Sequence, residues 1–152
     1  MIRVQIENFN VGIELEELTS DDQNIGAVSC FVGLVRDIAG DKTVNSMTLE
    51  HYPAMTEKAL LKIEIEAIKR WSLSKTLIIH RYGRLNPGDQ IVLVATASAH
   101  RKDAIEATEF LIDWLKTKAP FWKREETPDG SFWVESRSSD LAAANRWIKG
   151  SL

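Results

Sequence analysis

The segment QIVLVATASAHRKDAIEATEFLIDWLK, residues 90–116, joins an apolar strand directly to an amphipathic helix. A strand is predicted over residues 90–99, because a short apolar run rich in β-branched side chains and preceded by turn residues is typical of a buried strand. A helix is predicted over residues 102–116, where apolar side chains recur at helical spacing. Its inward stripe comprises Ala104, Thr108, Leu111 and Leu115, with Ile105 and Ile112 alongside. A strand followed at once by such a helix predicts a mixed fold.

Further strands and helices flank this segment on both sides. Alternating or continuous apolar runs predict the strands, and helical spacing predicts the helices. Strands are predicted at residues 2–6, 26–36, 44–51, 76–82, 121–125 and 132–135, and helices at residues 14–22, 56–71 and 139–147. The two kinds of element mix without strict alternation, and no linker or repeat divides the 152 residues. The sequence therefore predicts an α+β fold in one domain, residues 1–152.

The segment GAVSCFVGLVR, residues 26–36, carries apolar side chains on both of its alternating faces. This pattern is typical of a strand in the middle of a sheet, so we expect a central strand. Cys30 within it is expected to be a buried core thiol, since free cysteine is among the most buried residue types. Gly33 predicts a bulge or a close approach by other backbone or by a ligand.

The overall composition is that of an ordinary globular protein. Hydrophobic residues make up 44% and charged residues 27% of the chain, and the formal net charge is −3. This balance gives no general attraction to nucleic acid or to acidic membranes. No apolar run reaches the roughly 18 residues of a bilayer span, and the N-terminus lacks a signal-peptide pattern, so a cytoplasmic protein is expected. A single cysteine excludes an internal disulfide.

A basic segment, KTKAPFWKRE at residues 116–125, follows the strand and helix of residues 90–116. Lys116 lies in the last predicted helical turn, and Lys123 follows the chain reversal that Pro120 predicts. Two lysines on either side of a reversal can face one pocket, where burial among aromatic rings lowers the pKa of an ammonium. Taken alone, the residues favour a simpler explanation: Lys116 complements the helix dipole, and Lys123 extends from a strand edge to solvent.

Two further groups of cations lie at predicted strand ends. His100 and Arg101 stand at the start of a helix, where backbone N–H groups and both side chains can hold an anion. Arg36 follows Phe31 at the end of a strand and can bind a phosphate with two hydrogen bonds. For His100 and Arg101, a position on the surface without a ligand fits the sequence as well as anion binding does. For Arg36, the surface position fits better. The sequence has no Gly-rich phosphate loop, no Ser-His-Asp arrangement and no zinc-ligand spacing, so no metal site is expected.

Taken together, these segments resemble the large subunit of molybdopterin synthase over about residues 2–147. The resemblance rests on the order and spacing of six segments, of which LKTKAPFWKRE together with SAHR upstream is highly specific. The segments are GAVSCFVGLVRD at 26–37, LEHYPAM at 49–55, HRYGRL at 80–85, ASAHRKDAIEA at 97–107, IDWLKTKAPFWKRE at 112–125 and DGSFWVE at 129–135.

The resemblance implies an α/β-hammerhead fold with an additional small antiparallel β subdomain. It also implies a homodimer of large subunits within a heterotetramer, each large subunit binding a small ubiquitin-like sulfur carrier that ends in a Gly-Gly thiocarboxylate. The implied reaction is the transfer of two sulfurs to cyclic pyranopterin monophosphate, which forms the dithiolene of molybdopterin. No cofactor and no metal are implied.

The resemblance also assigns individual residues. Lys116 and Lys123 match the two active-site lysines of the family, and the substrate-binding cations match Arg36, His100 and Arg101. The other positions expected around the substrate are Phe31, Leu34, Val35, Arg124, Glu125 and Arg137. Whether His100 and Arg101 serve their own subunit or the partner of a dimer stays open.

Two other functions fit the same residues. One is a non-catalytic docking module that binds a ubiquitin-like protein through a basic groove, with Phe121, Trp122 and Trp133 as interface anchors. The other is a different phosphate-binding enzyme, in which His100 is a general acid and Arg36 holds the phosphate. A docking module needs no small-molecule pocket, and the second enzyme needs no carrier protein.

Overall fold

The structure, a computed structural model, describes residues 1–135 and 137–149. These residues form ten strands and four helices. The strands are β1 (Ile2–Gln5), β2 (Ala27–Leu34), β3 (Ile38–Ala39), β4 (Lys42–Thr43), β5 (Ser46–His51), β6 (Leu73–Arg81), β7 (Gly83–Leu85), β8 (Gln90–Ser98), β9 (Phe121–Thr127) and β10 (Gly130–Val134). The helices are α1 (Val11–Thr19), α2 (Pro53–Arg70), α3 (Arg101–Thr117) and α4 (Ser138–Lys149). The predicted α+β class is confirmed.

The larger sheet has the strand order β1-β6-β8-β2, with β1 parallel to β6 and the other pairs antiparallel. Side chains alternate between its two faces, as the pleat of a strand requires. Ile78 and Val94 pack against α2 and α3, whereas Leu77 and Leu93 pack on the opposite face with Leu18 of α1. Both faces of β6 and β8 are thus buried, which explains their almost continuous apolar sequence.

A second sheet, antiparallel throughout, has the strand order β10-β9-β5-β7. Its core cluster joins it to the end of the larger sheet through Val35, Leu49, Leu85 and Ile91. The short β3–β4 hairpin lies between β2 and β5 along the chain. The second sheet therefore carries the latter half of the basic segment, residues 121–125 in β9, past the end of the larger sheet.

The predicted helix of residues 102–116 corresponds to α3, and its inward stripe is largely confirmed. Ala104, Thr108 and Leu111 are buried, whereas Ile105 is exposed, contrary to expectation. The buried hydroxyls of Thr96 and Thr108 are satisfied, since Thr96 Oγ1 lies 2.7 Å from the Ala104 carbonyl and 2.9 Å from Thr108 Oγ1. None of the helices within residues 1–135 and 137–149 has the length and apolar character needed to cross a bilayer.

The prediction of a central strand at residues 26–36 is wrong. Within the described chain β2 pairs only with β8, so it lies at the edge of the larger sheet. Cys30 is exposed there and is not a core thiol. The face of β2 that carries Val28 and Cys30 is also exposed, because α1 packs mainly on β6 and β8. An apolar strand sequence alone does not report whether a helix covers a face or a second strand pairs along an edge. The bulge at Gly33 is confirmed, because the β2–β8 register shifts between Gly33 and Leu34.

Candidate active site

A cavity of about 460 Å³ lies where the end of β2, the last turn of α3, β9 and the start of α4 meet. The predicted site residues that line it are Phe31, Leu34, Arg36, Lys116, Lys123, Glu125 and Arg137. These side chains come from four separate parts of the chain, and α3 and β9 bring the two lysines to the same space. The proximity of Lys116 and Lys123 follows from the reversal at Pro120, which ends α3 and starts β9 three residues before Lys123.

The two lysines differ in environment. Lys116 is exposed at the end of α3, and Lys123 is partly buried in β9 opposite Leu49 of β5. Burial lowers the pKa of Lys123, and the positive charge of Lys116 lowers this pKa further. An ammonium with a lowered pKa is a better acid, and its neutral form is a better base or nucleophile. The surroundings in the cavity thus shift the protonation of Lys123 towards the neutral amine.

His80 also lines the cavity, although sequence reasoning gave it a low rank. Its ring stacks on Phe121 with 3.8 Å between centroids, and Nδ1 lies 2.9 Å from the Arg81 carbonyl oxygen. A carbonyl only accepts, so Nδ1 carries the proton and donates it. Burial lowers the pKa of His80 to about 4, with the nearby Lys123 charge as a lesser cause. The cavity therefore contains a neutral imidazole. In the sequence, the burial of His80 is indicated by its position on the same strand face as the apolar residue Ile78.

Arg36 and Arg137 form the border between this cavity and a second, more open one of about 800 Å³. Val35 lines the second cavity and not the first, and it is itself nearly fully buried in the core of the second sheet. The β3 residue Ile38 lines both cavities and is exposed. Two guanidinium groups at such a border can hold an anion in either space.

Besides Val35, three predicted site residues lie outside the first cavity for geometric reasons. His100 and Arg101 are exposed at the start of α3, and Arg101 stands roughly 22 Å from Lys116 along the helix axis. Arg124 follows Lys123 in a strand and so projects from the other face of β9. There it pairs with Glu126 at 3.2 Å and lies over the Trp133 ring at 5.7 Å.

The cavity carries a balanced set of charges. Among its described lining residues, Arg36, Lys116, Lys123 and Arg137 are basic and Glu125, Glu135 and Asp140 are acidic. Neither Glu135 nor Asp140 was predicted; the second stands in the first turn of α4, which the sequence places far from the lysines. Within the described part of the chain, no three His, Cys, Asp or Glu side chains are grouped so that they could hold a metal ion. The arrangement suits an anionic ligand and proton transfer by an amine.

Comparison with known proteins gives consistent matches over almost the whole chain. The model of the family described as MoaE protein matches residues 4–118. A Pseudomonas aeruginosa relative, named molybdopterin synthase catalytic subunit, is 56% identical over 146 residues, covering 96% of this chain and 97% of the relative. This second match extends the similarity beyond residue 118 into the part of the chain that contains Lys123.

Solved structures agree with these sequence matches. The molybdopterin biosynthesis MoaE protein from Burkholderia ambifaria MC40-6 superposes with a TM-score of 0.84 at 53% identity, covering 97% of both chains. Molybdopterin synthase from Staphylococcus aureus superposes with a TM-score of 0.81 at 35% identity, covering 88% of this chain and 96% of that one. The chain therefore belongs to the MoaE protein family, that of the molybdopterin synthase catalytic subunits.

Proposed function

We propose that the chain catalyses transfer of two sulfurs from the thiocarboxylated C-terminus of a small ubiquitin-like carrier to cyclic pyranopterin monophosphate. The product is the dithiolene of molybdopterin. The observation that carries the proposal is the meeting of Lys116 and Lys123 in one cavity bordered by two arginines. This cavity lies in a chain whose curated relatives are named catalytic subunits of molybdopterin synthase.

The chemistry of both reactants suits the cavity. The substrate carries a cyclic phosphate, and the carrier brings an anionic thiocarboxylate, so each needs cations in a protein whose net charge is −3. Each transfer forms one carbon–sulfur bond on the substrate, where a carbon–oxygen bond breaks and its oxygen leaves as water or on the phosphate. It also breaks the acyl carbon–sulfur bond of the carrier. Water supplies the oxygen with which the carrier leaves as a carboxylate.

The two lysines have complementary proposed roles in the same step. Lys116, exposed at the end of α3, lies near the carrier's terminal glycine, where it assists sulfur transfer and protonates leaving groups. Lys123, deeper in the cavity, stabilises negative charge that develops in the transition state or in the intermediate. Arg36 holds the phosphate and pterin end, and Glu125 and Arg137 complete the wall around it.

His100 and Arg101 fit this proposal only in an assembly. Roughly 22 Å along α3 separates Arg101 from Lys116, which is farther than an arginine side chain reaches. We therefore assign both residues to the cavity of a second copy, in a homodimer of large subunits within a heterotetramer. A closed two-fold dimer gives each cavity the same pair from its partner.

The experiment is dithiolene formation by the assembled synthase, measured with thiocarboxylated carrier and cyclic pyranopterin monophosphate. We expect Lys116→Ala to lower the rate at least about 100-fold, the usual contribution of a positioned proton donor. Lys118→Ala is the matched control, since Lys118 is exposed two residues later and does not line the cavity. A wild-type rate for Lys116→Ala would remove that lysine from the mechanism.

The same assay separates the two alternatives. A docking module would bind the carrier but form no product even as the wild-type chain. A phosphate-binding enzyme of another kind would convert the substrate equally well when the carrier is omitted. Either result would contradict sulfur transfer by this cavity.

A further inference from the structure

Asp140 is an unexpected residue in a cavity that suits anions. It stands in the first turn of α4, is partly buried, and lines the cavity together with Lys123. A carboxylate in this place repels an anionic phosphate or thiocarboxylate, so it works against ligand binding. We therefore expect the negative charge of Asp140 to stabilise another group in the cavity.

The position of Asp140 is fixed by the other end of its helix. Asp113 of α3 is buried and accepts hydrogen bonds from Arg146 Nη2 and from Trp147 Nε1, each at 2.7 Å. The Trp147 ring also packs edge-on against Phe110 at 5.5 Å between centroids. Because α4 is one continuous helix, this attachment to α3 determines where its first turn, and hence Asp140, lies at the cavity.

The same attachment links Asp140 to the lysines. Asp113 precedes Lys116 by three residues on α3, so one pair of helices positions both Lys116 and Asp140. Lys123 reaches the cavity independently, from β9. The charge around Lys123 is therefore set by how α4 docks on α3.

Several charged groups act on Lys123 at once. The pKa of Lys123 is lowered by burial and by the charges of Lys116 and Arg137, and it is raised by the carboxylates of Asp140 and Glu125. Asp140 has the larger effect of these two carboxylates. The titratable and charged groups that face this cavity or Lys123 are Arg36 of the β2 end, His80 of β6, Lys116 of α3, Glu125 of β9, Glu135 after β10, and Arg137 and Asp140 at the start of α4.

We infer that Asp140, through its place in the same cavity, is a positioning residue that keeps the Lys123 amine charged before substrate arrives. The inference deepens the proposed sulfur transfer and rests on it for its functional meaning. Without an anion in the cavity, Lys123 is close to two other cations, and Asp140 supplies the compensating charge. An arriving phosphate or thiocarboxylate then takes over that compensation at the moment when an ammonium is needed for catalysis.

The first test is a titration of Lys123 in the full-length chain without carrier or substrate. Lysines are labelled with ¹³C at Cε, and the Lys123 signal is identified by its loss in Lys123→Arg. We expect Asp140→Asn, which preserves the shape of the side chain, to move the Lys123 midpoint to lower pH. Asp140→Glu, which restores the charge, should return the midpoint most of the way to that of the wild type.

Asp129→Asn is the matched control, because Asp129 is exposed in the turn before β10 and away from the cavity. It removes the same charge and should leave the Lys123 midpoint where it is. An unchanged midpoint in folded Asp140→Asn, with folding checked by circular dichroism, would overturn the inference. Because no sulfur is transferred, this result does not depend on whether the proposed reaction is correct.

The second test uses the complete synthase and the pH dependence of its rate. If Lys123 acts as an ammonium, Asp140→Asn should move the alkaline limb of kcat to lower pH, so the loss of rate should grow as the pH rises and should be small at acidic pH. The KM for the anionic substrate should stay constant or fall, because a repelling carboxylate is gone. An equal loss at every pH would mean that Asp140 has only a structural role and would contradict the inference.

Discussion

His80 lies at the base of the cavity, held on one side by the Phe121 ring and on the other by the Arg81 carbonyl. The hydrogen bond fixes the proton on Nδ1, and burial makes the protonated ring unfavourable. The pKa of His80 is thereby lowered to about 4 from its ordinary value of 6.5. A second histidine, His51, packs on the same Phe121 ring at 5.7 Å between centroids. The cavity thus avoids adding a further positive charge beside Lys123.

The lowered pKa of His80 predicts a loss of stability in acid. The unfolded chain takes up a proton near pH 6.5 and the folded chain only near pH 4, so the stabilisation is complete above pH 6.5 and is lost as the pH falls towards 4. The loss amounts to about 3 kcal/mol of unfolding free energy over that window. Urea denaturation at a series of pH values measures it.

The matched variant for this measurement is His80→Phe, which keeps an aromatic ring on Phe121 and removes the titrating group. The difference in unfolding free energy between wild type and variant should change by the same amount over pH 6.5 to 4. A difference that stays constant with pH would show that His80 titrates normally in the folded protein.

Sequence reasoning found some residues of the site and missed others for a physical reason. The proximity of Lys116 and Lys123 was predictable, because a proline reversal between them is a local feature. The cavity positions of His80 and Asp140 depend on packing between elements far apart in the chain, which local patterns do not report. Residues that reach the cavity only through tertiary packing were found where the family resemblance marked them, as for Arg36, and were missed where it did not.

At the scale of single elements, α3 was predicted well and β2 was not. Helical spacing directly reports which face of a helix is buried, and the stripe through Leu111 is indeed buried. The position of β2 in its sheet depends on whether another strand pairs with it, which its own side chains do not encode. Its free edge, with Val28 and Leu34 exposed on its faces, is a property of strand order.

Helix α4 packs on α3, and the Asp113 carboxylate holds the two helices together. We predict that Asp113→Asn loosens α4 and lowers the unfolding free energy by about 2 kcal/mol, because charged hydrogen bonds from Arg146 and Trp147 are weakened. Hydrogen exchange should accelerate in α4 and stay slow in β6 and β8.

The matched control is Glu109→Gln, which removes the other carboxylate that pairs with Arg146. This pair is half exposed, with 51% of the Glu109 side chain accessible, so its loss should cost about 0.5 kcal/mol or less. If Glu109→Gln loosened α4 as much as Asp113→Asn does, the attachment would not depend on the buried carboxylate.

At the scale of the whole molecule, two groups of basic side chains lie at opposite ends of α3. The chain is acidic overall, with a formal net charge of −3, yet basic groups converge on one cavity. A second basic group, His100 and Arg101, is exposed at the far end of α3. The proposed homodimer would bring these two regions together.

Hybrid dimers test that arrangement. We predict that Lys116→Ala subunits mixed with Arg101→Ala subunits recover activity, although each variant is inactive alone. In a hybrid, the intact cavity of one subunit receives an intact Arg101 from the other, so random mixing should give about a quarter of the wild-type rate per site. No recovery after subunit exchange, verified by mass spectrometry, would mean that Arg101 acts within its own subunit or outside the site.

Lys116 and Lys123 are proposed to act together on one reacting group, and a double-mutant cycle tests this cooperation most directly. Single-turnover dithiolene formation is measured for the wild type, Lys116→Ala, Lys123→Ala and the double variant, each with saturating thiocarboxylated carrier. We expect each single variant to lose at least about 100-fold and the double variant to lose little more, because residues that work as a unit are strongly non-additive. Wild-type rates for both single variants, or losses that multiply in the double variant, would contradict the account.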